Sequence, residues 1–458
     1  MAPTVRSFFA GFEPLDLVEQ YPDAYPGLLE SCAADSPGRG ARFDILPIVS
    51  GEQLRLNADR GLFGPYAGES GFLGALNSWW QALLPSAAAG AIRSAVSPHL
   101  PFSGGWLLYL GYELAAEIEP CLGQPRSVDP VVALALRAPA AWMRDRRSGE
   151  AWLYAEAGHE GLLDEFRRRV AALRDSAPLA DGHFHIEEED PAKFLAAVRR
   201  ALEYTAAGDV YQTNLSRQWR AQASRPVSAV AIYKRLRAAN PGPFAALLRH
   251  GDFAVLCSSP ERLVQVRGNR VSTRPIAGTR PRGAAGAEDE GLARSLLDDE
   301  KERAEHVMLI DLERNDLGRV CVGGSIEVDE YMSVESYAHV HHIVSNVSGR
   351  LRADVSPVDV IRALFPGGTI TGCPKIRTMQ VIAELEGCPR GAYTGSIGYL
   401  NRDGSCDLNI LIRTLTARGM AFNFRAGAGI VADSIPEQEL AETRAKAEGL
   451  LRALAGRA

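Results

Sequence analysis

The sequence predicts an α+β protein built on antiparallel sheets, and three observations carry that prediction. Short apolar and aromatic runs recur along the whole chain and read as strands. Helical stretches fall between them without the regular strand–helix–strand rhythm of a parallel sheet. The composition is that of an ordinary globular protein: 458 residues, 46% hydrophobic and 23% charged. A chain of this length exceeds one ordinary domain.

Residues 1–180 read as an N-terminal accessory region packed on a core. Tyr25-Pro26-Gly27 precedes Leu28-Leu29-Glu30-Ser31, and Asp44–Val49 is a buried strand. Phe72–Leu84, with Trp79 and Trp80, has helical apolar spacing. Pro101–Tyr112 is a glycine turn entering an aromatic strand, Val131–Leu136 and Ala151–Glu156 are further strands, and Leu162–Leu173 is an amphipathic helix. The polar stretch Asp175–Asp190 marks a boundary, and residues 185–458 form the second region. It opens with a helix over Pro191–Ala207, a strand over Val210–Arg217 and a helix ending near Asn240-Pro241-Gly242-Pro243. Strands Phe244–Leu248 and Phe253–Ser258 follow, and Glu261–Val266 with Arg270–Thr273 makes a hairpin. Arg274–Gly283 is then a constrained loop with two prolines, two glycines and three arginines, a shape suited to meeting an anion. Glu290–Leu312 reads as one acidic helix, Leu408–Leu415 as a strand carrying Arg413, and Glu437–Ala455 as the last helix.

The charge of −6 excludes the basic footprint of a general nucleic-acid binder. No apolar run approaches the ~20 residues of a membrane span, and Met1-Ala-Pro-Thr-Val-Arg has no secretory-signal pattern, so a cytoplasmic protein is expected. The seven cysteines never fall in C-x-x-C spacing and read as reduced, mostly buried thiols; Cys121 is taken as structural. Of 50 basic residues only five are lysine, at 193, 234, 301, 375 and 446, which draws attention to each.

Chemistry concentrates in the second region. Glu302 and Glu305 are three apart and share a helical face, as do Glu439 and Glu442, with Lys446 one turn further on. Two such carboxylate pairs suit one hard cation such as Mg²⁺. Gly427-Ala428-Gly429, at a strand end before the last helix, offers backbone N–H groups to a carboxylate, and Arg413 could clamp one. Phe365–Gly372 is another glycine-shaped loop, leading through Cys373-Pro374-Lys375 into a helix. His339, His341 and His342 lie in a strand-like run whose alternation opposes 341 to 342, favouring one functional histidine over a zinc site.

These motifs together resemble the chorismate-utilising enzymes: component I of anthranilate synthase and of aminodeoxychorismate synthase, and the isochorismate and salicylate synthases. The resemblance runs through Tyr-Gln-Thr-Asn-Leu-Ser-Arg (211–217), Ser-Ser-Pro-Glu-Arg (258–262), the 274–283 stretch and Asp-Leu-Glu-Arg-Asn-Asp-Leu-Gly-Arg-Val (311–320). It continues through His-His-Ile-Val-Ser (341–345), Thr-Gly-Cys-Pro-Lys (371–375), Gly-Ser-Ile-Gly-Tyr (395–399) and Gly-Ala-Gly-Ile-Val-Ala-Asp-Ser (427–434). It implies a layered sandwich of two mostly antiparallel sheets flanked by helices. It implies Mg²⁺ on Glu305 and Glu442, with Glu302 and Glu439 nearby, and Glu261 as the acid that protonates the departing C4 hydroxyl. His342 and Thr279 assist beside the ring, while Gly278, Thr371, Tyr399, Arg413, Gly427, Gly429 and Lys446 hold chorismate. Ser31, within Leu-Leu-Glu-Ser, with Asp44, Pro241, Gly242 and Pro243, would form a tryptophan pocket.

Two positions bear on the branch. Water-using members carry a lysine base where this chain has Gln212; a neutral amide cannot deprotonate water, whereas ammonia needs no base. Many aminodeoxychorismate synthases carry a nucleophilic lysine where this chain has Ala277, and anthranilate synthases carry alanine. Against that, Asn-Pro-Gly-Pro-Phe (240–244) departs from the Asn-Pro-Ser-Pro-Tyr-Met of tryptophan-inhibited anthranilate synthases. Gly-Gly-Thr-Ile-Thr-Gly-Cys-Pro-Lys, Gly-Ser-Ile-Gly-Tyr and the compact first region look more like aminodeoxychorismate synthase. The expected reaction is 4-amination of chorismate with ammonia from a separate glutaminase subunit, because Cys121-Leu122-Gly123-Gln124-Pro125 lacks the glutaminase nucleophile pattern. Anthranilate synthase is the alternative, and an inactive tryptophan-binding homologue the third reading.

Overall fold

The computed structural model describes the chain except residues 1, 2, 10, 33–41, 85–99, 124, 175–182, 284, 285, 337–339, 457 and 458. The expected start of the boundary stretch, from 175 to 182, and His339 therefore lie outside the described residues.

Among the described residues, two sheets of twelve and eleven strands lie face to face, and every pairing of extended strands is antiparallel. Helices cover the two outer faces. The pattern follows from strand residues that are buried on both sides. In Phe244–His250, Ala245 and Leu247 pack outward beneath helices, while Ala246 and Leu248 point between the sheets. Val131–Ala138 is buried at every position, which explains the apolar run Val131–Leu136, and Arg137 within it pairs with buried Glu156. The outer layer of the first sheet includes Ala229–Ala239 and Pro436–Ala455; that of the second includes Gly71–Ala82 and Pro357–Leu364. Strands from both halves of the sequence enter both sheets. Gly27–Glu30 pairs with Phe244–His250 in the first, and Gly105–Leu110 pairs with Ser396–Asn401 in the second.

Most predicted elements fall within a few residues of their observed bounds, and three differ informatively. The 274–283 stretch is not a loop: Ile276–Pro281 is a strand paired with Val340–Arg350. Its register shifts between Ala277 and Thr279, and Gly278 adopts φ +61° at that bulge, where a side chain would be strained. The acidic helix is two helices, Ala287–Asp298 and Glu300–Gly318. Asp299 between them is extended (ψ 109°), and its Oδ1 accepts from the Glu302 amide at 3.2 Å, capping the second helix. The strand expected over Leu408–Leu415 is a crossover. Cys406–Asn409 belongs to the second sheet and Thr414–Arg418 to the first, with Arg413 between them at φ +53°. Of the thiols, Cys257, Cys321 and Cys406 are buried, Cys32, Cys373 and Cys388 intermediate, and Cys121 exposed, so burial is less general than expected.

Candidate active site

The site forms where the crossover, the bulged strand and the last helix meet the end of the first sheet. Glu261 precedes strand Arg262–Arg267 and is 5% exposed. Its amide donates to Ser259 Oγ (3.1 Å) and its carbonyl accepts from the Ile410 amide (3.0 Å), so the backbone is held on both sides. Burial pushes its carboxyl up to about 7, opposed by the nearby Thr369 hydroxyl and Lys446 ammonium. Such a group keeps a substantial protonated population near neutral pH, as proton donation requires.

His342 pairs in register with Thr279 across the bulge. Its Nδ1 lies 3.0 Å from the Gly278 carbonyl, an atom that can only accept; Nδ1 therefore carries the proton and Nε2 is the ring's acceptor. Burial lowers the ring to about 4, with Arg413 and Lys446 adding to the effect, and so the imidazole is neutral. His341 turns the other way, as alternation requires: Nδ1 meets Ser336 Oγ (2.7 Å) and Nε2 meets Asp289 Oδ1 (2.9 Å).

The cationic side is built by Lys446 and Arg413. Lys446 Nζ donates to the Gly427 carbonyl (3.0 Å) and pairs with Glu442 (2.5 Å); Arg413 Nη1 donates to the Lys446 carbonyl. Because the Gly427 carbonyl turns to Lys446, that residue's polar edge points off the ladder with strand Gln212–Ala223, and Gly429 two residues on points likewise. Both glycines lie inside strand Ala421–Ile430, so the backbone edge is presented by a strand and not by a loop before the helix. A Cβ on Gly427 would sit 2.7 Å from Tyr393 Oη and 2.5 Å from the Leu215 carbonyl; one on Gly429 would sit 2.5 Å from Gln212 Nε2. The missing side chains open the face that Gln212 and Asn214 share. Thr371, fully buried, uses its hydroxyl within its own turn, donating to the Gly367 carbonyl at 2.9 Å.

Tyr399 requires a correction. It does not join the carboxylate-holding groups but lines a second cavity, with its ring 5.7 Å from Phe102. The tyrosine on the catalytic side is Tyr393, which borders Gly427 and Arg413. The second cavity, about 490 Å³, includes Ser31, Pro243, Tyr399, Arg262 and Asn409. Asp44 and Gly242 shape it from behind: Asp44 Oδ1 accepts from the Ser31 amide (3.2 Å) and the Gly242 carbonyl from the Cys32 amide (3.0 Å). Neither Pro241 nor Asp44 is among the residues lining it.

Glu302 and Glu439 lie in the first turns of Glu300–Gly318 and of Pro436–Ala455, and Glu305 and Glu442 one turn further on. Glu302 is held by Arg280 (3.1 Å) and Glu442 by Lys446. Among the described residues, no three acidic, histidine or cysteine side chains gather around one point. The donor chemistry, hard carboxylate oxygens on two helices, nonetheless suits Mg²⁺. Two residues unnoticed in the sequence complete the surroundings. Glu313, buried and pushed well up by burial and by Asp316, borders Gly368 and feels the charge of Glu261. Asn214 faces Gly427, with Oδ1 at 3.1 Å from the position of an added Cβ. Glu313 stands inside the quoted 311–320 motif and Asn214 inside 211–217, so residue type and spacing could have pointed to both.

A model of the chorismate binding enzyme family matches residues 48–452. The chain belongs to that family. An anthranilate synthase component I-like protein of Synechocystis is 43% identical over 79% of this chain and 75% of its own length. Aminodeoxychorismate synthase component 1 of Bacillus subtilis is 52% identical, over 57% of this chain and 55% of its own. Among solved structures, anthranilate synthase component I of Streptococcus pneumoniae superposes with a TM-score of 0.78 at 32% identity, covering 91% and 93% of the two chains. The expected sandwich of two antiparallel sheets is thus the fold of this chorismate binding enzyme, while its relatives divide between the two aminations. Among the described residues no helix is long and apolar enough to cross a membrane.

Proposed function

We propose that this protein aminates chorismate at C4, giving 4-amino-4-deoxychorismate, with ammonia supplied by a separate glutamine amidotransferase subunit in the cytoplasm. The observation that carries the reading is the placement of a buried carboxyl at about 7 (Glu261) beside Lys446, near a neutral histidine (His342) and Arg413. Chorismate is a dianion, and Lys446, Arg413 and the backbone edge at Gly427 and Gly429 suit its carboxylates. Glu261 then donates its proton to the leaving hydroxyl, the C–O bond breaks, water departs and ammonia supplies the new C–N bond. The carboxylate left on Glu261 can recover a proton from the ammonium so formed. Glu305 and Glu442, with Glu302 and Glu439 beside them, would hold Mg²⁺, which when bound disperses negative charge at the ring carboxylate.

Gln212 supports ammonia over water as nucleophile. Ala277, at the bulge, supports direct addition without an enzyme-bound lysine adduct. A separate partner is supported by relatives named as component 1 or component I. The alternative, 2-amination as in anthranilate synthase, is favoured by Ala277 and by the S. pneumoniae likeness. Purified protein, chorismate, Mg²⁺ and ammonium salt, supplemented with an aminodeoxychorismate lyase, separate the two. p-Aminobenzoate supports the proposal, and fluorescent anthranilate formed without the lyase overturns it. Glu261→Gln should slow consumption about 10²–10⁴-fold; no consumption by the unaltered protein would favour a silent tryptophan-binding homologue, with tryptophan in the Ser31 cavity.

A further inference from the structure

Gln212 and Asn214 are two apart on one strand, and so project to the same face. That face is the one cleared by Gly427 and Gly429, whose register partners are Ser216 and Asn214. Gln212 is 6% exposed, yet its Oε1 has no hydrogen-bond partner among the described residues; neither does Asn214 Oδ1. Two buried, unpaired carboxamide oxygens on residues two apart in one strand are costly unless a ligand satisfies them. The oxygens accept, and so favour a molecule that brings N–H or O–H groups, while Gln212 Nε2, the donor end, is the atom that meets Gly429. The positive charges of Lys446 and Arg413 near the same glycines disfavour ammonium, which leaves a small neutral donor.

We propose that Gln212 and Asn214 form the ammonia seat of this enzyme. Each oxygen accepts one N–H of ammonia, and the nitrogen lone pair, which neither can engage, is turned away from the strand towards the ring. Asn214 is thereby a substrate-binding residue for the second substrate. The inference rests on the amination reading and adds to it the residues that orient the nucleophile.

The test is steady-state kinetics with ammonium chloride at fixed pH. Asn214→Leu, which keeps the size and removes the acceptor, should raise the KM for ammonia at least tenfold and leave the KM for chorismate within about twofold. Asn214→Asp, which restores acceptor oxygens, should recover much of the loss; if the leucine variant does not fold, Asn214→Ser and Asn214→Asp carry the comparison. An unchanged ammonia KM in these variants overturns the seat, and an equal rise for chorismate shows that the oxygens hold chorismate's hydroxyl instead. Failure of the unaltered protein to consume chorismate sinks the amination reading, and with it the seat, and is distinguished by the unaltered control.

Discussion

Glu261 shows how burial converts an ordinary carboxyl into an acid. Its value of about 7 against the usual 4.5 means that the folded chain binds a proton more tightly than the unfolded chain does. The stability this contributes is present below about 4.5 and is lost as pH rises through about 7. A turnover limb falling above about pH 7 is expected, and Glu261→Gln should remove both the limb and that share of the pH dependence of thermal unfolding. The two glycines separate fold from function. An alanine at 427 meets a fixed carbonyl at 2.5 Å, whereas an alanine at 429 meets the movable end of Gln212. Gly427→Ala should destabilise the protein by about 1–3 kcal/mol. Gly429→Ala should leave the melting temperature nearly unchanged and still weaken ammonia use, because it displaces the Gln212 amide. Melting curves beside ammonia KM values check both.

At the scale of elements, Asp289 ties the helix Ala287–Asp298 over the bulged strand by its polar contacts. Asp289 accepts from Arg282 (2.6 Å) and from the Gly283 amide (2.8 Å), and meets His341 at 2.9 Å. These contacts hold its carboxyl well below the usual range, the Arg282 hydrogen bond contributing most. Asp289→Asn should speed hydrogen exchange in 287–298 and raise the KM for chorismate, with global unfolding little changed; unchanged exchange would show that the tie does not hold the helix. The break before the second helix was hard to read because Glu290–Leu312 contains no proline and its one glycine is early. Only the pairing of Asp299 with both Arg280 (2.8 Å) and the Glu302 amide reveals a cap there. Arg413 was legible as a candidate carboxylate clamp, but its position depends on a crossover between sheets that no local periodicity encodes.

For the whole molecule, the consequence of interleaved sheets is that neither sequence region completes a sheet alone. Residues 185–458 expressed by themselves would leave Phe244–His250 and Ser396–Asn401 without Gly27–Glu30 and Gly105–Leu110, exposing strand edges and apolar faces. That fragment should aggregate, and co-expression with 1–180 should restore a soluble, chorismate-consuming pair; soluble, fully active 185–458 alone would contradict this.

The sequence by itself determined the α+β class, most strands and helices, and the residue types of an acid, a histidine and a cationic edge. Those follow from apolar period, glycine and proline placement, and ordered motifs, all of which are local. The tertiary structure decided which side chains meet. Tyr393 reaches the catalytic side and Tyr399 the second cavity, although both lie in one short stretch. It also decided that Glu261 is buried enough to hold its proton up to about 7 and that two amide side chains share a cleared face. These properties belong to facing and burial, which arise only when distant strands pair in register and exclude water.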